Sequence, residues 1–394
     1  MAATMNLYQA SNQWRTRPDD ERFWTLDELL AATTRLREMS READAVPISS
    51  LKIIPAGDGE QPLLIGGAGI EAKFTHYSFG QMSKVAGAPA SYLRQLPPEL
   101  FARNLNHGLE RCAQADKDAN RYLLLRQTNG HYHLSAALSA RYDRIWDADV
   151  AERLVRLQDD GWRVPPARPS KPGVGRPATE EDCLKNRMAG IGIKPGDQIA
   201  PAGLYASDHD MFAFMVNEDG WLRSGGVDLA KGFFVSNSEV GDKAFTLTTF
   251  LYNSVCGNHI IWDVKDVKQL RIIHLGNGTT GNKAFSQMRV TLKRYADASM
   301  VEAAGQIEAA RTMVIAANKD EVLDKLFHLK VANREDLEAS LYLAKQHPED
   351  SGEAHPHSTW AMAQGMTRLA GQQRHGEERS KLEQGAGKVV KMRF

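Results

Sequence analysis

This chain of 394 residues contains little cysteine and no long apolar run. Its three cysteines, Cys112, Cys183 and Cys256, have neither metal-binding nor redox spacing. Such a sparse set indicates buried thiols in a reducing compartment rather than disulfides. The first residues lack the apolar core of a signal peptide, and no apolar run reaches the roughly 18 residues that span a membrane. We therefore expect a cytoplasmic protein that has no membrane partner.

The sequence also lacks net charge. Its 49 basic and 49 acidic residues cancel, so no overall field attracts the chain to nucleic acid or to anionic lipid. Any such attraction must come from local groups of like charge. The length predicts two or three compact units, and the share of hydrophobic residues, 42%, is ordinary for a globular protein.

A glycine-rich loop occurs in RIIHLGNGTTGNKAF, residues 271–285. A phosphate-binding loop of the G-x-x-x-x-G-K-[ST] type needs a lysine directly after its second glycine. Gly276 and Gly281 have the required spacing, but Asn282 occupies the lysine position. Lys283 comes one residue late, which turns its side chain by about 100° on a helix. We therefore interpret the loop as a plain strand-to-helix connection and expect no cofactor.

The pattern of turns and apolar residues predicts the fold class. Asn129 and Gly130 separate two β-prone runs, which is a strong indication of a hairpin. A second hairpin is predicted to turn near Gly241, and a capping-box pattern at Thr25 begins an N-terminal helix. From about Phe285 onward the pattern is helical. We predict an α+β fold, with a twisted antiparallel sheet built of hairpins, N-terminal helices and a helical C-terminal region.

This order of elements suggests three regions. Residues 1–115 form an N-terminal helical and mixed region, residues 116–295 an antiparallel β-rich core, and residues 296–394 the helical C-terminal region. Within the core, residues 164–177 contain five prolines, three basic residues and no acid. This composition predicts an extended, basic arm.

Positive charge is concentrated between Asp266 and Asp297, a stretch without acidic residues. Its basic residues include Arg271, Lys283, Arg289, Lys293 and Arg294. Apolar residues share one face of the predicted helix, so the cations should point outward. We interpret them as contacts for a phosphate backbone, aided by a helix N-terminus near Asn282. The alternative is a solvated helix face whose charges pair with carboxylates from elsewhere in the fold.

A second basic segment, LSARYDRIWDADV, follows the predicted hairpin. Arg141, Tyr142 and Arg144 interleave an aromatic ring with cations, a pattern that suits base stacking and phosphate contact on single strands. The alternative is a tyrosine packed in the core, with arginines paired to Asp143 or Asp147.

Histidine and aspartate residues suggest a different class of function. His131 and His133 alternate onto one face of a strand, and Asp208 and His209 lie in another β-rich segment. If the strands bring them together, they would form a metal site for a hydrolase or nuclease. A third alternative is a module that binds a host protein, with the C-terminal helices forming a homo-oligomer.

Four segments occur in the order in which one known family carries its motifs. They contain Arg141, Tyr142 and Asp147; Val255, Cys256 and Asn258; Arg271, His274 and Gly276; and Trp360 and Thr367. On these residues the chain resembles the phage/plasmid-like proteins that carry the domain of unknown function numbered 932. Asp147 departs from that pattern, because asparagine is usual there. The resemblance implies a setting on phages, plasmids or integrated elements.

These observations lead to one main hypothesis. We expect a non-enzymatic protein that binds nucleic acid, single-stranded DNA above all, in the replication, recombination or annealing of mobile-element DNA. The predicted contact residues are Arg141, Tyr142, Arg144, Arg168, Lys171, Arg176, Arg271, Lys283, Arg289, Lys293 and Arg294.

Overall fold

The computed structural model describes residues 17–55, 63–116, 119–170, 173–188, 192–201, 203–224, 227–253, 259–260, 270–276, 278–298, 301–352, 354–372 and 376–394. Its helices and its mostly antiparallel strands occur largely in separate runs, with strands from residue 198 to residue 272 and helices from residue 280 onward. The predicted α+β fold class is therefore confirmed.

Within these described residues there are twelve α-helices and seventeen strands. The helices are α1 (Leu26–Glu38), α2 (His76–Val85), α3 (Ala90–Leu93), α4 (Pro98–Ala115), α5 (Asp147–Arg156), α6 (Glu180–Met188), α7 (Thr280–Asp297), α8 (Val301–Thr312), α9 (Lys319–His328), α10 (Arg334–Gln346), α11 (Thr359–Gln372) and α12 (Gly376–Lys391). The strands are β1 (Arg22–Phe23), β2 (Ser40–Pro47), β3 (Lys52–Ile54), β4 (Leu63–Gly66), β5 (Ile70–Phe74), β6 (Asn120–Thr128), β7 (His131–Ser139), β8 (Trp162–Arg163), β9 (Arg168–Pro169), β10 (Arg176–Pro177), β11 (Gln198–Ala200), β12 (Leu204–Ala206), β13 (Met211–Ser224), β14 (Val227–Asn237), β15 (Phe245–Asn253), β16 (His259–Ile260) and β17 (Leu270–Ile272).

A six-stranded sheet has the order β2-β6-β7-β5-β4-β3. All its pairs are antiparallel except β5 with β7. Helix α4 packs Phe101 and Leu105 into the same core as Leu123 and Leu125 of β6. Strands β2 to β5 come before residue 115, and β6 and β7 come after it. The predicted boundary between the first two regions therefore falls within one sheet.

The β6–β7 hairpin turns at Asn129 and Gly130, as predicted. Both residues have positive φ, 52° and 80°, which is the conformation that a two-residue hairpin turn needs. Asparagine and glycine adopt it at little cost, and this local preference fixes the register of the hairpin.

The second large sheet has eight strands, in the order β1-β12-β13-β14-β15-β16, with β8 beside β13 and β17 beside β15. Its β14–β15 hairpin turns through residues 238–244, which confirms the second predicted hairpin. One face is covered by α1, α5 and α7. The core between them includes Leu29, Leu154, Phe233, Leu247 and Met288. This packing fixes α7 and the edge strand β17 against the sheet.

The C-terminal helices pack around α11, which is buried along most of its length. Trp360, Met362 and Met366 are fully buried. A Cβ on Gly365 would lie 2.0 Å from the carbonyl oxygen of Ser340, so α10 and α11 approach too closely for any larger residue. The predicted helical C-terminal region is thus confirmed. Among the helices described, none is both long and apolar enough to cross a membrane.

Candidate functional site

Helix α7 directs its cations to solvent. Its buried positions recur at helical spacing and are Thr280, Ala284, Met288, Leu292 and Tyr295. Its exposed positions include Lys283, Arg289, Lys293 and Arg294. Lys283 and Arg294 are about 16 Å apart along the helix axis. The four cations therefore extend along most of the helix, as its apolar periodicity predicted.

Two further arginines lie beside this helix. Arg271 is exposed on β17, opposite Thr246 of β15. Arg141 is exposed on the loop after β7, where its carbonyl oxygen accepts a hydrogen bond from the Gly276 N–H at 3.4 Å. We call the following six residues the cationic surface: Arg141, Arg271, Lys283, Arg289, Lys293 and Arg294.

The cationic surface is not neutralised by carboxylates of the described chain. The ion pairs formed among the described residues involve other arginines and lysines, such as Arg144 and Arg176. Asp297, at the C-terminal end of α7, is the only acid of the helix. The described residues therefore do not support the alternative of a solvated face paired with carboxylates from elsewhere.

The glycine-rich loop before α7 encloses a carboxylate of the same chain. Asp143 Oδ2 accepts a hydrogen bond from the Thr280 N–H at 2.9 Å. Burial alone would raise the pKa of Asp143, but hydrogen bonds from Thr280 and the preceding backbone hold that pKa below its ordinary value. A Cβ on Gly276 would lie 2.8 Å from the same oxygen. The helix begins at Thr280, two residues before Asn282. Its N-terminus already holds the Asp143 carboxylate, so a phosphate contact there is not supported.

Tyr142 is packed inside the protein. Its hydroxyl donates to the Ser238 carbonyl oxygen at 2.9 Å, and its ring stacks on the His274 imidazole with 5.1 Å between centroids. This is the core packing that the sequence left open as the alternative. Base stacking by Tyr142 is therefore not supported.

Arg144 is also enclosed, because only 2% of its side chain is exposed. Its guanidinium pairs with Glu42 at 3.0 Å and lies 4.9 Å from the ring centroid of Tyr122 and 5.2 Å from that of Trp146. It also donates to the Glu239 carbonyl oxygen. Its partners are thus neither Asp143 nor Asp147, and a phosphate has no access to its charge.

The proline-rich segment is not a free arm over its described residues. Its two ends form β9 and β10, which both pair with β11 in a three-stranded sheet. Arg176 donates two hydrogen bonds to Asp182, at 2.6 and 3.1 Å, and its guanidinium lies 4.2 Å from the Trp24 ring centroid. Lys171 and the side chain of Arg168 lie outside the described residues. The structure therefore corrects the prediction of a flexible contact.

The predicted metal ligands do not form a metal site. His131 is exposed and His133 half-buried on β7, whereas Asp208 and His209 lie between β12 and β13. Among the described residues, which include all four, no group of three or more such side chains could hold a metal ion. Burial would lower the pKa of His209, but its 2.7 Å contact with Asp208 and the nearby Asp210 outweigh burial and raise it. The geometry gives the metal alternative no support.

A buried group of charges lies between the two large sheets. Arg126 of β6 pairs with Glu239 and donates to the Asp208 carbonyl oxygen. The Glu239 Oε1 atom accepts the Asp147 N–H at 2.8 Å, and Lys243 pairs with Asp210 at 2.5 Å. We call the following five residues the buried ionic network: Arg126, Asp147, Asp210, Glu239 and Lys243.

The sequence did not predict this network. Its only local indication is a charged residue, Arg126, directly after the apolar run of β6. Burial and then the charge of Glu239 raise the pKa of Asp147 well above its ordinary value. Burial opposes ionisation of Asp210, but the charge of Lys243 lowers its pKa. The network holds the six-stranded sheet against the β14–β15 hairpin.

His274 does not add to the cationic surface. Its side chain is buried, with 2% exposure, and neither ring nitrogen has a hydrogen-bond partner among the residues that the structure describes. Burial, followed by the charge of Arg144, lowers the pKa of His274 to about 4. The imidazole is therefore neutral at neutral pH.

Comparisons with protein-family models, with curated proteins and with solved structures found no match. The resemblance to the proteins carrying the domain numbered 932 therefore stays a prediction. Two of its segments meet in the fold, because the Tyr142 ring stacks on His274 and the Gly276 N–H donates to the Arg141 carbonyl oxygen. The segment with Val255, Cys256 and Asn258 lies outside the described residues.

Proposed function

We propose that this protein binds nucleic acid, single-stranded DNA above all, through the cationic surface, and that it is not an enzyme. One observation carries the proposal: six exposed cations, none of them paired with a carboxylate among the described residues, lie on or beside one helix in a chain of zero net charge. Cations that lack an internal partner are free to neutralise phosphates, and the release of counterions from the nucleic acid favours binding.

The packing of α7 supports the same proposal. Met288, Leu292 and Tyr295 anchor the helix in the core beneath the eight-stranded sheet. A helix held in this way presents its cations on a rigid support, which reduces the ordering that binding would require. A single strand is flexible and can follow such a surface. Phosphate contacts carry no sequence information, so we expect binding to many sequences alike.

The cellular role is part of the proposal and rests on composition and on the family resemblance. Composition suggests the cytoplasm, and the family resemblance suggests replication, recombination or annealing of mobile-element DNA. A homo-oligomer through the C-terminal helices would place several cationic surfaces along one strand. Light scattering with and without oligonucleotide would measure the oligomeric state.

The test is charge reversal on α7. Wild-type protein should bind a fluorescent single-stranded oligonucleotide with an affinity that falls with salt, at a log–log slope of up to about −4 for six contacts. Arg289→Glu together with Lys293→Glu should weaken binding by at least about tenfold for every sequence. The matched control is Lys319→Glu with Lys345→Glu. It makes the same change in net charge at exposed positions of α9 and α10.

Fluorescence anisotropy at several salt concentrations gives both affinity and slope. Undetectable binding, or binding that salt does not weaken, would end the proposal. An equal loss in the control variant would also contradict it, because the effect would then follow net charge rather than this surface.

A further inference from the structure

Exposed aliphatic side chains accompany the cations on the segment leading to α7. Ile273 and Leu275 are 56% and 58% exposed, whereas Ile272 before them and His274 between them are buried. Strand β17 ends at Ile272, and the Leu275 N–H donates to the Ile273 carbonyl oxygen at 2.8 Å, so the two exposed side chains flank a tight turn. The apolar pair follows closely after Arg271, a cation that no carboxylate of the described residues pairs with.

The backbone that carries the apolar pair is held in place. The His274 carbonyl oxygen accepts the Asp143 N–H at 3.1 Å, and Leu275 forms a β-bridge with Tyr142. Both side chains therefore stay exposed on a supported segment rather than on a free loop. Isolated exposed aliphatic residues are common on protein surfaces. Here, however, two of them share a surface with cations that no carboxylate of the described chain neutralises.

We propose that Ile273 and Leu275 contact the bases of a single strand whose phosphates lie on the cationic surface, and so make this surface selective for single-stranded over duplex nucleic acid. This inference rests on the proposed function and adds a source of specificity to it. In a duplex, the base faces are stacked inside and offer nothing to an aliphatic side chain. In a single strand they are open, and apolar side chains can cover them.

The position of the pair and the charge around it both suit this ligand. Ile273 and Leu275 lie between two cations, because Arg271 precedes the pair by two residues and the Gly276 N–H directly after it donates to the Arg141 carbonyl oxygen. The sequence from residue 267 to residue 296 contains no acid, which favours an anionic partner. A single strand offers what the surface lacks, namely negative charge with open apolar faces beside it.

The test compares two ligands on one variant. Ile273→Ser with Leu275→Ser should bind a single-stranded oligonucleotide about tenfold more weakly than wild type, because the apolar contact area is lost. Affinity for the corresponding duplex and the salt slope should not change, since no charge is altered. The control is Val301→Ser with Leu329→Ser, which removes exposed aliphatic side chains from the C-terminal region. Circular dichroism checks that each variant is folded.

Each contrary result has a separate meaning. If wild type shows salt-dependent binding but the Ile273/Leu275 variant keeps the same ratio of single-strand to duplex affinity, only this inference falls. If wild type binds neither ligand, the proposed function itself falls. If the variant keeps that ratio but no longer self-associates in sedimentation velocity, the pair is a contact between copies of this chain, and the inference is overturned.

Discussion

The replacement Glu239→Ala should destabilise the protein strongly. Glu239 is 2% exposed, and each of its carboxylate oxygens has a buried partner. One oxygen pairs with Arg126, whose side chain is 5% exposed, and the other accepts the Asp147 N–H at 2.8 Å. Alanine would leave a buried positive charge and a buried N–H group without these acceptors.

Two losses set the size of the destabilisation caused by Glu239→Ala. Breaking a buried ion pair by removing one partner costs about 3–5 kcal/mol, and an unsatisfied buried N–H costs about 1–3 kcal/mol. Relief of the repulsion between Glu239 and Asp147 offsets part of the sum. We therefore expect a net loss of about 4 kcal/mol in the free energy of unfolding, a large part of the 5–15 kcal/mol typical of native proteins. Glu239→Gln keeps a hydrogen-bond acceptor and should lose about half as much.

Urea unfolding followed by tryptophan fluorescence gives the overall loss, and amide exchange in β6 and β14 shows whether the joint between the sheets opens first. The double replacement Arg126→Met with Glu239→Met should recover much of the loss, because no unpaired charge remains buried. A loss below about 1 kcal/mol for Glu239→Ala, or equal losses for alanine and glutamine, would refute this reasoning.

Two further replacements test Asp147, whose pKa is raised, and Asp143, whose pKa is lowered. Asp147→Asn should stabilise the protein at neutral pH. The pKa of Asp147 is raised in the folded state, so the wild-type protein loses stability as pH rises from the pKa of the unfolded state, about 3.8, through the pKa of the folded state. Thermal unfolding should show no gain near pH 3 and a clear gain at pH 7, and an equal gain at both would contradict this. Asp143→Ala should cost about 1–2 kcal/mol by removing the acceptor of the Thr280 N–H. Because the pKa of Asp143 is lowered, this cost should be present above pH 4 and vanish in strong acid. Amide exchange at the start of α7 measures the cost, and Asp143→Asn is the control.

Local features of the fold could be predicted from the sequence. The turn at Asn129 and Gly130 depends on the conformational preference of two residues. The cap of α1 depends on Thr25, which accepts the Glu28 N–H at 3.1 Å, only three residues away. The outward cations of α7 followed from the spacing of its apolar residues. In each case the interacting groups are neighbours along the chain, so sequence spacing fixes their geometry.

Contacts between distant segments could not be predicted. Arg144 and its partner Glu42 are 102 positions apart, and the same sequence pattern would suit a free arginine on the surface. Asp143 reaches the glycine-rich loop across 137 positions. Whether a cation faces solvent or a buried carboxylate depends on which strands become neighbours. Only the tertiary fold supplies that information.

The buried ionic network has a consequence for how the chain can diverge among relatives. Its charges come from β6, from the start of α5 and from the turns before β13 and after β14. A neutralising change at Arg126 would strand Glu239, so lineages that keep the fold should inherit compensating changes in groups. Exposed cations such as Lys283 and Arg294 have no carboxylate partner within the described ranges, so they can be replaced one at a time, provided that the surface keeps its overall charge.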